Sequence, residues 1–171
     1  MKRSQRSQSS GFVSLCAALL LVLASGCSAA AAGPGNMVIH GKTTVLTSVY
    51  AYRHPASYDK DVTQATIVLS EKAIDVKKVK AAGGDFYKAV HAWLDDNKVA
   101  HWEATFYPDG TFWSGQLYSP GELMYGGIGC DLKITRNDAQ RIEGSCRTED
   151  EKQKNDKAEG VYVDVKFASA F

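Results

Sequence analysis

The chain has 171 residues, with 20 Lys and Arg against 19 Asp and Glu, and 44% of its residues are hydrophobic. This near-neutral balance leaves no electrostatic footprint for nucleic-acid binding. Its length suits one domain with a real core.

Lys2, Arg3 and Arg6 precede an apolar run from Gly11 to Ser25. A basic start followed by a short apolar stretch predicts a cleaved signal peptide. The run falls short of the roughly twenty residues that a bilayer-spanning helix needs. Leu23-Ala24-Ser25-Gly26-Cys27 then resembles the bacterial lipobox, in which small residues precede a cysteine that is lipidated and becomes the new N-terminus. The family places Leu three positions before the cysteine, whereas here that position is Ala24 and Leu23 is one further back. The alternative is ordinary cleavage after one of Ala29 to Ala32. The resemblance implies a bacterial lipoprotein precursor anchored to a membrane through lipid on Cys27. Ser28, where inner-membrane lipoproteins carry Asp, resembles the outer-membrane class and implies the envelope of a Gram-negative bacterium, with the side of the membrane left open. Loss of the leader removes three basic residues and leaves 17 against 19 acidic ones. The expected organisation is a signal peptide over residues 1–26, a lipidated cysteine and flexible tether over 27–40, whose small residues cannot bury enough surface to order themselves, and a β-rich domain over 41–171.

Cys16 leaves with the leader and Cys27 takes lipid, so Cys130 and Cys146 remain as an even pair in an oxidising compartment such as the periplasm. A disulfide bond between them is expected.

Within the domain, Thr43–Arg53 reads as one long first strand and Gln64–Ser70 as a buried second strand. A helix in two pieces follows, broken at Gly83-Gly84 and capped by Asp75 and Asp85. Phe86, Val90, Trp93 and Leu94 make one apolar stripe on the second piece, which should lie on the sheet. Val99–Tyr107 alternates at period two, Pro108-Asp109-Gly110 turns, and Thr111–Tyr118 returns. Trp102, Phe106 and Phe112 share the expected core face. A second hairpin, with its loop at Asn137-Asp138-Ala139, would set Cys130 opposite Cys146, Leu132 opposite Gly144 and Ile134 opposite Ile142. Glu149–Glu159 is a charged loop, and Val161–Phe167 a last strand. The fold class is α+β: a predominantly antiparallel β-sheet of six to seven hairpin-connected strands with one helical segment packed on it.

His101 and Glu103 point to one strand face, opposite Trp102 and Phe106. An imidazole beside a carboxylate can do acid–base work, and a small envelope hydrolase is the alternative function, but a solvated polar strand face is the preferred reading. His40, His54 and His91 lack ligand spacing, with His91 read as a helix-edge residue, so no metal is expected. Gly126-Gly127-Ile128-Gly129 lacks the Lys-Ser or Lys-Thr of a phosphate loop and reads as a bulged start to a strand. No cofactor motif is present. Tyr107 and Trp113, on the face away from Phe106, form a candidate binding surface. The mature domain resembles uncharacterised bacterial envelope proteins with a Gly-bearing strand like Ile142-Glu143-Gly144 and a terminal strand like Val163–Phe167, and these bring no known activity. Small lipoprotein lysozyme inhibitors share the size, anchor and disulfide, but their inhibitory motif is absent from the sequence. The expected function is a non-enzymatic binding or interaction module for an envelope protein, peptide or small ligand; a purely structural lipoprotein is the third reading.

Overall fold

In the computed structural model, which describes residues 34–121, 125–149 and 160–171, the β-branched and aromatic runs pair into two sheets. β1 (Gly35–Ile39), β2 (Lys42–Leu46), β3 (Ser48–Pro55) and β4 (Thr63–Ser70) come first, followed by α1 (Val76–Ala82) and α2 (Phe86–Asp96). β5 (His101–Phe106), β6 (Phe112–Tyr118), β7 (Tyr125–Gly126), β8 (Asp131–Asn137), β9 (Arg141–Arg147) and β10 (Val161–Ala170) complete the order. The two five-stranded sheets run β2-β1-β10-β9-β8 and β3-β4-β5-β6-β7, with antiparallel pairing throughout. The fold is therefore sheet-dominated with two helices, and it has more strands than the expected six to seven.

Three corrections explain the extra strands. Thr43–Arg53 is not one strand: the chain leaves the first sheet after Leu46 and enters the second at Ser48, with Thr47 bonded through its N–H to the Ser70 carbonyl and through Oγ1 to the Glu71 carbonyl. The expected tether over 27–40 ends too late, because Gly35–Ile39 is β1, with Met37 and Ile39 buried between β2 and β10 registers. Two apolar side chains at alternate positions suffice to order that segment against a sheet. Gly126–Gly129 is less a strand start than the crossing from β7 to β8, where Gly127 and Gly129 take positive φ and the Ile128 carbonyl accepts from Trp102 Nε1 at 3.0 Å.

The core between the sheets gathers Met37, Leu46, Ile67, Leu69, Trp102, Phe106, Leu117, Ile142 and Phe167. Phe112 leaves this expected core face at the hairpin tip and is 38% exposed. A second cluster, Tyr52, Val68, Ile74, Val79, Val90, Leu94 and Val99, lies between the helices and the other face of the second sheet. The helices form as their local chemistry dictates. Asp75 accepts from the Lys78 N–H and Asp85 from those of Tyr87 and Lys88, while Gly83 and Gly84 take positive φ in the break. The stripe on α2 buries Val90 and Leu94 fully and Phe86 and Trp93 in part.

The Cys130–Cys146 disulfide is present, with the Cα atoms 5.4 Å apart, but its hairpin is registered two residues away from expectation. Leu132 faces Cys146 and Ile134 faces Gly144, and the register shifts once more at Thr135. The cause is the turn. Asp138 accepts the N–H groups of Gln140 and Arg141 on Oδ1 and binds Arg136 Nε through Oδ2 at 2.6 Å, which centres the loop on Ala139-Gln140. A two-residue slip keeps the apolar side chains on the core face, and Cys130, one position before β8, reaches Cys146 diagonally. Of the charged run 149–159 all but Glu149 lies outside the described residues.

Gly144 sits beneath the Phe167 ring; a Cβ there would meet the Lys133 carbonyl at 2.5 Å and Phe167 Cζ at 2.8 Å. Gly144→Ala is expected to destabilise the domain by about 1–3 kcal/mol, measurable as a lower urea midpoint at an unchanged slope.

Candidate functional site

β5 is the central strand of the second sheet and is buried along its whole length, because the first sheet covers one face and the helices cover the other. His101 and Glu103 are thus not on a solvated strand face; they are 2% and 3% exposed beneath α2. Nor do they act as a pair. His101 Nδ1–H donates to the Val99 carbonyl at 2.9 Å and leaves Nε2 without a partner; burial holds its pKa below the ordinary value. Glu103 is instead approached by His91 of α2, Nε2 to Oε2 at 3.0 Å. The contact is an ion pair by distance rather than an aligned hydrogen bond. Burial alone would lower the His91 pKa, but the adjacent Glu103 carboxylate outweighs it, and the pKa ends above the ordinary 6.5. His91 is therefore an inward-facing partner of the sheet and not the helix-edge residue expected.

Toward the N-terminus of α2 the buried polar stripe continues as a relay. A carbonyl can only accept, so His54 Nδ1 carries the proton that it gives to the Pro55 carbonyl at 2.9 Å. His54 Nε2 then accepts from Thr66 Oγ1 at 2.8 Å, and Thr66 Oγ1 in turn lies 2.8 Å from Thr105 Oγ1. Tyr87 lies between the two histidines, with its ring centroid 4.7 Å from His54 and 4.3 Å from His91. Burial, with the charges of Glu103 and Asp85, pushes the Tyr87 phenol up to about 12, so it stays protonated as a donor.

At this end the helices stop short of covering the sheet, and a cavity of about 640 Å³ opens, with Arg53, His54, Gln64, Phe86, Tyr87 and Trp113 among its walls. Volumes of a few hundred Å³ suit a small ligand. Trp113 reaches it through a β-bulge: Thr105 pairs with Ser114 but Phe106 with Phe112, which leaves Trp113 as the extra residue. Bulges re-aim side chains in this way. Trp113 is 44% exposed and leans on Tyr58 and Tyr107, at ring separations of 5.3 Å and 5.0 Å. Tyr58 is itself exposed.

Two of the cavity residues carry donors with nothing to bind. Gln64 is 2% exposed, yet its Nε2 has no partner. Arg53 is fixed by Nη2 donating to the Asp138 carbonyl at 2.6 Å and by its position over the Phe171 ring, and its buried Nε is also unpartnered. Unpartnered buried polar atoms occur elsewhere too, at Asn36, Tyr52, His101 and Ser119 among others, so it is the conjunction of the Gln64 and Arg53 orphans with the exposed Trp113 that marks this cavity out.

Of the residues singled out in the sequence, Trp113 is a cavity wall and Tyr107 packs against it, whereas Tyr107, His101 and Glu103 are not among the walls. Cys27 lies outside the described residues. Gln64, Arg53, His54 and Tyr87 were missed; the one available signal was a Gln leading an otherwise apolar strand, in register with His54. Among the described residues no group of three or more His, Cys, Asp or Glu is placed to hold a metal ion, and no helix is long and apolar enough to cross a membrane. No family model, curated protein or solved structure matches the chain.

Proposed function

We propose that this chain is an exported bacterial lipoprotein, anchored through Cys27, whose β-rich domain binds a small ligand or an exposed part of another envelope component in the cavity between Trp113 and the start of α2. The observation that carries the binding role is the pairing of an exposed, bulge-presented Trp113 with the buried, unpartnered amide of Gln64 at one cavity. An exposed aromatic cluster beside unsatisfied donors is costly to keep unless something covers it. This favours binding over a purely structural role, in which the aromatic face would be packed. Nothing in the cavity wall pairs a nucleophile with a base, so the hydrolase reading gains no support from its geometry. The Cys130–Cys146 disulfide supports export, and the lipobox-like Leu23–Cys27 supports the anchor. The outer membrane of a Gram-negative bacterium fits Ser28.

A photoreactive amino acid placed at position 113 in the full-length protein tests the role in cells of the native host. The expected result is a defined cross-linked adduct that is lost in the Gln64→Met background; no adduct above background would overturn the binding role. Metabolic labelling with palmitate tests the anchor: label on the wild-type chain and none on Cys27→Ala is expected. Trp113→Ala should alter the melting temperature little, since the side chain is half in solvent, while abolishing binding. A large loss of stability would show Trp113 to be structural.

A further inference from the structure

The same cavity indicates what it takes, on the proposed reading that it is a binding site. Three cations, Arg53, Lys60 and Lys88, border it against one acid, Asp85, whose carboxylate is already engaged by the Tyr87 and Lys88 N–H groups at the start of α2. The two buried orphans, Gln64 Nε2 and Arg53 Nε, are donors shielded within the wall, so a ligand meets the cationic side chains of Arg53, Lys60 and Lys88. His54 offers no lone pair, because Nδ1–H is spent on the Pro55 carbonyl and Nε2 on Thr66. The polar half of the cavity is thus donor-rich and positive. The apolar walls include Trp113, Phe86 and Tyr87, with Tyr58 and Tyr107 packed behind Trp113, which suits a flat apolar face. A sugar ring has such a face together with several acceptor oxygens, and a carboxylate on it matches the cations.

We infer that the cavity binds an acidic saccharide, with a ring lying on Trp113 and its carboxylate directed to Arg53, Lys60 and Lys88.

Isothermal titration of the full domain with a uronic acid disaccharide and with the neutral disaccharide of the same linkage tests this. The acidic sugar is expected to bind at least about tenfold more tightly than the neutral one, with affinity falling as salt is raised. Gln64→Glu, which adds a negative charge to the wall beside the ligand's carboxylate, is expected to weaken it by about tenfold or more. Lys88→Ala, on an exposed helix position where folding is not at risk, is expected to weaken it by severalfold. Equal binding of the acidic and neutral sugars, or binding of neither, would overturn the inference. If neither sugar binds while the position-113 adduct still forms in cells, the ligand class is wrong and the binding role stands; if both fail, the binding role falls too.

Discussion

Replacing His91 by leucine should cost the domain about 3 kcal/mol, the range seen when one member of a buried ion pair is removed. The reason lies beneath α2. Glu103 sits on the central strand with both faces covered, and the only cationic group placed within ion-pair distance of its carboxylate among the described residues is His91. Without that imidazole a carboxylate is left in the interior, next to the polar Gln116 side chain that reaches His91 Nδ1 at 3.5 Å. The double replacement His91→Leu/Glu103→Leu should recover most of the loss, because apolar side chains of similar volume can replace a buried pair at little net cost. Urea unfolding of the single and double variants checks this, and a double variant as unstable as the single would show the leucines to be poorly packed.

The same pair gives a pH dependence with a definite sign. His91 holds its proton more tightly in the folded state than its ordinary 6.5, so its stabilisation is complete below that value and is lost as pH rises through the higher folded pKa. His101 is the opposite case. Burial holds its folded pKa down, so its contribution is present above the ordinary value and is lost as pH falls through the lower folded one. Stability should therefore be greatest near the ordinary histidine value and fall on both sides of it, through His91 on the alkaline side and His101 on the acid side. His91→Gln should flatten the alkaline limb and leave the acid limb in place.

The second large effect is expected from the disulfide. Cys130→Ala/Cys146→Ala should lose about 3 kcal/mol, the chain-entropy value for a loop of this size, seen as a melting temperature lowered by roughly 10 °C. The bridge ties β9, which sits between β8 and β10, to the crossing segment from the second sheet. It thus holds the two sheets' connection as well as one hairpin. Scanning calorimetry with and without reductant gives the answer, and an unchanged midpoint on reduction would contradict it.

The sequence showed best what short-range chemistry decides. Asp75, Asp85 and the Gly83-Gly84 break are local signals, and the two helices follow them. Pro108-Asp109-Gly110 is local too, and the Tyr107 N–H to Thr111 carbonyl closure forms where expected. The cysteine pairing was legible from cysteine count and the expected export, but its register was not, because the Asp138 turn competes with the loop the apolar pattern suggested. What could not be seen was which surface each strand meets. Residues 42–53 hold no Gly, Pro, Asn or Asp, so the passage between sheets after Leu46 left no mark. His101 and Glu103 alternate as a solvated face would, and only the return of α2 over β5 makes them interior. Gln64 was hidden for the same reason, since its orphaned amide becomes visible only once His54, Tyr87 and Trp113 close around it.

The most direct measurement is an NMR titration of the ¹⁵N-labelled domain with solubilised envelope glycan, following the Trp113 indole and Gln64 side-chain amide signals against that of Trp102, which is buried between the sheets and bonded to Ile128. Saccharide binding in this cavity predicts that the Trp113 and Gln64 signals move together and saturate while Trp102 stays fixed. Signals at Trp113 and Gln64 that remain unmoved at saturating ligand, or a shift of Trp113 alone, would contradict it.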